Sequence, residues 1–135
     1  MTKTTFPARF EYLDEIRALV AQTAHEGGFT GKVIYPLQLA ADEAASNIIE
    51  HAYEGVSDAT LDISCAMQGD TIVIIMYDTG KSFEISKVKQ PNIKADLSDR
   101  QIGGLGIYLM RKLMDKVSYE SNSTGNMLTM TKRRG

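Results

Sequence analysis

Apolar residues recur at helical spacing from Glu11 to about Glu26, at Leu13, Ile16, Leu19, Val20 and Ala24. Gly27 and Gly28 then stop the helix. A second helix is expected from Val33 or Pro36 to Tyr53, with Pro36 suited to the first turn. Leu37, Ala40, Ala41, Ala44, Ile48 and Ile49 form its core face. After Gly55 the period changes to two. In "ATLDISCAMQ", Leu61, Ile63, Cys65 and Met67 point one way. "QGDT" is a tight turn, and "TIVIIMYD" is a strand apolar on both faces, hence central in a sheet. Residues 2–8 read as a short edge strand ended by Pro7.

Residues 81–101 are polar, contain Pro91 and keep no period. A loop of that length in a compact domain is uncommon and is often a lid or binding loop. A glycine-led helix follows, with Leu105, Tyr108, Leu109, Leu113 and Val117 at helical spacing, and a hairpin turning at "STGN" finishes the chain. The order is (β)ααββ–loop–αββ. Short hairpins imply a mainly antiparallel, mixed sheet, and three helices must bury their stripes on one face of it. The expected fold is a two-layer α+β sandwich forming a single domain over residues 1–135.

Composition adds bounds. A chain of 135 residues can bury roughly two thirds of its unfolded surface. The net charge of −2, with no dense Lys/Arg run, argues against nucleic acid or anionic lipid as the main partner. Cys65 is the single cysteine and reads as a small buried strand residue. No apolar run is long enough to span a membrane, and the first residues lack the apolar core of a signal peptide. A cytoplasmic protein is expected.

Three segments carry candidate chemistry. Glu43, Asn47 and His51 rise one above another on the second helix. An ionised Glu can take a proton from a hydroxyl or water, and an Asn oxygen is a hard neutral ligand. Mg²⁺ favours few protein ligands plus phosphates and waters. In "DTGKSF", Asp78 can accept a hydrogen bond from an exocyclic amine such as adenine N6, and Gly80 lets the backbone approach a flat base. "GGLG", residues 103–106, opens a helix whose N–H groups can bind a phosphate, although it is neither a Walker loop nor a dinucleotide fingerprint. Taken singly, each segment has a plainer reading: a solvated helix face, a turn after a strand, and a helix cap.

Taken in this order, they resemble the GHKL ATPases, the superfamily of gyrase, the heat-shock chaperone ATPases, the mismatch-repair ATPases and the histidine kinases. "LAADEAASNIIEHAY" looks like its N box, "DTGKSF" like its G1 box and "GGLGIYLMRKLMD" like its G2 box. The "HAY" ending and "GGLGIYLMRKLMDKVSY" resemble one branch more closely, the anti-sigma-factor serine/threonine-protein kinases of bacterial partner switches. That resemblance implies the Bergerat ATP-binding fold, ATP and Mg²⁺ as cofactors, and a STAS-fold antagonist and a sigma factor as partners. It also allows a homodimer.

By the same resemblance Glu43 is the general base and Asn47 the Mg²⁺ ligand. Asp78 reads adenine, with Gly80 beside the base. Gly104 and Gly106 contact phosphate, with Gly103 and Leu105 completing the stretch. Thr129 matches a threonine placed near adenine through water, and is equally an ordinary strand residue. His51 either orients Glu43 or Asn47 or packs beside a partner, and Arg100 either reaches a phosphate or is a solvated charge. Ile102 stands where the fuller superfamily pattern has another glycine. The implied activity is a protein kinase that sequesters a sigma factor. The alternative is a nucleotide-gated binding module without phosphoryl transfer, and Glu43 favours the kinase.

Overall fold

The period-two stretches pair as their patterns require. The computed structural model describes residues 3–52, 58–80 and 104–135. Strands β1 (Lys3–Pro7), β2 (Thr60–Gln68), β3 (Thr71–Asp78), β4 (Lys116–Asn122) and β5 (Gly125–Arg133) form one sheet in the order β1-β2-β3-β5-β4. Every pairing among these strands is antiparallel. β3 is central, which explains its unbroken apolar run. Ile72, Ile74 and Met76 are buried on its core face, and Val73, on the other face, is buried between Ala66 of β2 and Thr131 of β5. β1 lies at an edge, where Pro7, lacking an N–H, is tolerated.

A single 3₁₀ turn (Phe10–Tyr12) leads into α1 (Leu13–Glu26), followed by α2 (Gly31–Asn47) and, after β3, α3 (Gly104–Leu113). α2 packs against both α1 and α3, so it is the middle helix of the layer. Its buried face is mostly alanine: Ala40, Ala41, Ala44 and Ala45. Small side chains let a helix with neighbours on several sides lie close to all of them. The core joins Ile16 and Val20 of α1, Leu37 of α2 and Met110 of α3 to Leu61, Ile63, Ile74, Met76, Leu128 and Met130 of the sheet. Each such side chain contributes about 1.5–3 kcal/mol on burial.

Three boundaries differ from the sequence expectation. Gly28 takes φ 88°, its N–H donates to the His25 carbonyl (3.0 Å), and the Phe29 N–H donates to that of Ala24 (2.9 Å). This pair of bonds is a Schellman stop, closed by buried Phe29 and Ala24. It delivers Thr30 as the N-cap, so α2 starts at Gly31 and Pro36 lies inside it rather than in its first turn. Pro36 therefore cannot bond the Lys32 carbonyl. At its far end α2 stops at Asn47 and continues as a π-helical turn, Ile48–Ala52; Tyr53 lies outside the described residues. Finally, Val117 belongs to β4, not to the helix before it. The Asp115 N–H donates to the Thr131 carbonyl (2.9 Å), and its carboxylate accepts the Arg133 N–H (2.7 Å), drawing the chain onto the sheet two residues after α3 ends.

Candidate functional site

The middle helix sets the first half of the site. Ala44 and Ala45 are buried, which fixes the rotation of α2 and leaves Glu43 half-buried. One turn on, Asn47 is only 7% exposed, and its Nδ2 has no hydrogen-bond partner among the described residues. A buried donor left unpaired costs about 1–3 kcal/mol. The backbone changes to the π form immediately after it, a local widening often found at functional sites. The step of about 100° per residue that stacked His51 above Asn47 does not extend through that turn. His51's side chain lies outside the described residues.

Beside Glu43, Asp42 has a different task. Arg17 donates one N–H to Asp42 and another to Asp14, and Gln38 donates to the Arg17 carbonyl (3.2 Å). These bonds lock α1 to α2 next to the candidate base.

Asp78 ends β3 on the core face of the sheet and is 3% exposed. Its Oδ1 accepts the Gly80 N–H (2.9 Å) and the Asn126 Nδ2–H (2.8 Å). Burial pushes the carboxyl above its ordinary range, and the bonds from Asn126 and Gly80 oppose that rise. Asn126 also donates to the Gly80 carbonyl (2.9 Å), while its own Oδ1 accepts the Ser121 hydroxyl (2.7 Å). Asn126 and Ser121 were not singled out from the sequence. The signal was there: Leu128 and Met130 point inward on β5, so alternation also places Asn126 inward, a polar residue on an apolar face.

The same alternation corrects Thr129. It pairs with Ile75, whereas Asp78 pairs with Asn126, so Thr129 lies on the opposite sheet face from Asp78. There it lines a cleft of about 500 Å³ with Arg111, Lys116 and Ser118. The residue beside Asp78 is Asn126.

Gly104, Leu105 and Gly106 are the first three residues of α3, the place in a helix where N–H groups lack an intrahelical carbonyl. Arg111 and Lys112 sit in its last turn, where they complement the helix dipole. Gly103, Arg100 and the polar stretch 81–101 lie outside the described residues. No cluster of three His, Cys, Asp or Glu side chains suited to a metal occurs among the described residues. A cation held here would depend on Asn47 with phosphate and water, the mode Mg²⁺ favours. The buried amide of Asn47, whose Nδ2 has no partner among the described residues, fits that role. Rotation about its terminal bond presents either the oxygen to a cation or the NH₂ to a phosphate oxygen.

The family model of the histidine kinase-like ATPase domain matches residues 6–132. The serine-protein kinase RsbW of Halalkalibacterium halodurans is 33% identical over 132 residues, covering 95% of this chain and 80% of that protein. RsbW of Bacillus subtilis is 34% identical over 130 residues, covering 93% and 81%. Among solved structures, the SiaB–SiaC complex from Pseudomonas aeruginosa aligns with a TM-score of 0.65 at 14% identity, over 98% of this chain and 89% of that one. The RsbU and RsbW domains of a Mycobacterium tuberculosis protein align with a TM-score of 0.61 at 17% identity, over 98% of this chain and 32% of that longer one. At these identities the two structures speak for the fold.

Proposed function

The chain belongs to the histidine kinase-like ATPase family and, within it, to the RsbW-type serine-protein kinases, and from that premise we propose that it transfers the γ-phosphoryl group of ATP to a serine of a partner protein. The observation that carries this reading is the pairing on α2: a half-buried carboxylate, Glu43, one turn from a buried amide whose Nδ2 has no partner among the described residues.

In this reading Glu43 takes the proton of the incoming serine hydroxyl as the serine oxygen bonds to the γ-phosphorus and the bond to the β–γ bridging oxygen breaks, releasing ADP, so the nucleophile is never a free alkoxide. The adjacent triphosphate charge raises the basicity of Glu43. Asn47 would hold Mg²⁺, which when bound would offset the charge spread over the triphosphate. Asp78 accepts the adenine amino group, and Gly80 allows the base close. The N–H groups opening α3 receive phosphate oxygens. The family resemblance extends the proposal to the partners: the phosphate acceptor is a STAS-fold antagonist, the sequestered ligand a sigma factor, and the working unit a homodimer, in the cytoplasm. No helix among the described residues is long and apolar enough to cross a membrane.

The test is phosphate transfer from labelled ATP to a candidate STAS-domain protein, comparing the native chain with Glu43→Gln. Transfer is expected to fall at least about a hundredfold in the variant while nucleotide binding persists, since general-base catalysis contributes roughly 10²–10⁴-fold. Transfer that persists in Glu43→Gln overturns the assigned base. Nucleotide binding with no transfer by the native chain to any STAS partner leaves the binding-module reading in place of the kinase.

A further inference from the structure

The environment of Asp78 contains more than a carboxylate facing a base. A buried strand-end acid with one donor would rotate about its terminal bond. Here Oδ1 is held by two donors, one from Gly80 and one from Asn126. Asn126 is 2% exposed, and its amide is used at both ends. Its oxygen accepts Ser121 on β4, and its nitrogen donates to the Asp78 carboxylate and to the Gly80 carbonyl. A flip of that amide would set its oxygen against the carboxylate and the Gly80 carbonyl, forfeiting both of those bonds, while the Ser121 hydroxyl would have to turn from donor to acceptor. The three polar residues come from three adjacent strands: Asp78 from β3, Asn126 from β5 and Ser121 from β4. Asp78 and Ser121 both pair with Asn126 in register, so the sheet itself sets their spacing.

Resting on the reading of Asp78 as the base-recognising acid, we propose that Asn126, held by Ser121, is a specificity-determining positioning residue: it fixes one oxygen of Asp78 and the Gly80 backbone so that the site accepts a 6-amino purine and rejects a 6-oxo purine. The chemistry is that of a fixed acceptor. Adenine offers an amino donor at position 6, whereas a 6-oxo purine offers an acceptor there. An acceptor that cannot turn away or trade its role leaves the wrong base unpaired, and sites built on such a buried bond discriminate strongly. Donors on Oδ1 also favour the anionic form of Asp78, the form that cannot donate to a carbonyl.

The test is equilibrium binding of ATP and of inosine triphosphate, whose purine carries a carbonyl in place of the 6-amino group and a proton on the adjacent N1, to the native chain and to Asn126→Ala, Asn126→Thr and Ser121→Ala. The native chain is expected to prefer ATP. Loss of one charge-assisted hydrogen bond predicts that Asn126→Ala narrows the ATP-to-ITP affinity ratio by about tenfold. Asn126→Thr, which keeps one donor and suits a strand, recovers part of the ratio. Ser121→Ala narrows it in the same direction by less, and decides the matter should Asn126→Ala fail to fold. A general packing role would weaken both nucleotides alike, so an equal fall for ATP and ITP overturns the proposal, as does a ratio unchanged in both alanine variants. A native chain that binds both nucleotides equally overturns the Asp78 reading as well, and one that binds neither overturns the proposed function itself.

Discussion

Asp78 is ionisable and buried, and its burial and its hydrogen bonds act on its charge in opposite directions. Its carboxyl is raised above the ordinary value of 3.8, chiefly by desolvation, with Asn126 and Gly80 pulling the other way. The sign follows from linkage. A carboxyl whose native pKa exceeds its unfolded one contributes stability below the ordinary carboxylate value, and that contribution is lost as pH rises through the raised native value. Asp78→Asn, which mimics the protonated acid, is therefore expected to be more stable than the native chain at pH 7, with the difference closing near pH 3.8. Urea midpoints at several pH values measure this, and a variant less stable at neutral pH would contradict it. The same variant loses an acceptor for adenine and should bind ATP roughly ten- to a hundredfold more weakly, as expected for a hydrogen bond to a charged group. Stability and recognition thus pull in opposite directions at this one side chain.

At the scale of an element, the α1–α2 junction decides where the candidate base stands, because every residue of α2 takes its place from the helix start. Gly28 supplies the left-handed turn, at φ 88°. Gly28→Ala places a Cβ in that conformation and is expected to lower stability by about 1 kcal/mol. Gly31, three residues on, is the first residue of α2 and has open space where a Cβ would go. Gly31→Ala should be neutral or stabilising by about 0.5 kcal/mol, through better helix propensity. Thermal unfolding of the two variants side by side is the measurement; equal losses would show that space or backbone conformation had been misjudged at one of them. Sequence patterning found both helices but placed the second start too late. The Schellman stop and its buried Phe29 are contacts between residues, not a period along the chain.

For the whole molecule, the proposed site draws on α2, the end of β3, the start of β5 and the start of α3, so a bound nucleotide would join both layers. Mg-ATP at a hundredfold excess over its dissociation constant is expected to stabilise the fold by about 2.7 kcal/mol. A chelator should remove most of that gain; a thermal shift indifferent to chelation would take Mg²⁺ out of the account. Periodicity alone determined the α+β class, the central place of β3, the edge position of β1 and most core residues of α1 and α2, because burial imposes a period of two or 3.6 on any chain that satisfies it. At α3 the buried residues among those described are Met110 and, just past its end, Met114, beside the stripe that the spacing marks. Local pattern also marks Glu43, Asn47, Asp78 and the glycines opening α3 as candidates, since each sits at a helix face, strand end or helix start. Cross-strand register was decided only by the tertiary structure. It set Asn126 and Ser121 beside Asp78 and turned Thr129 to the other face, because which residues of distant strands stand opposite one another depends on how the strands pair and not on either strand's own alternation.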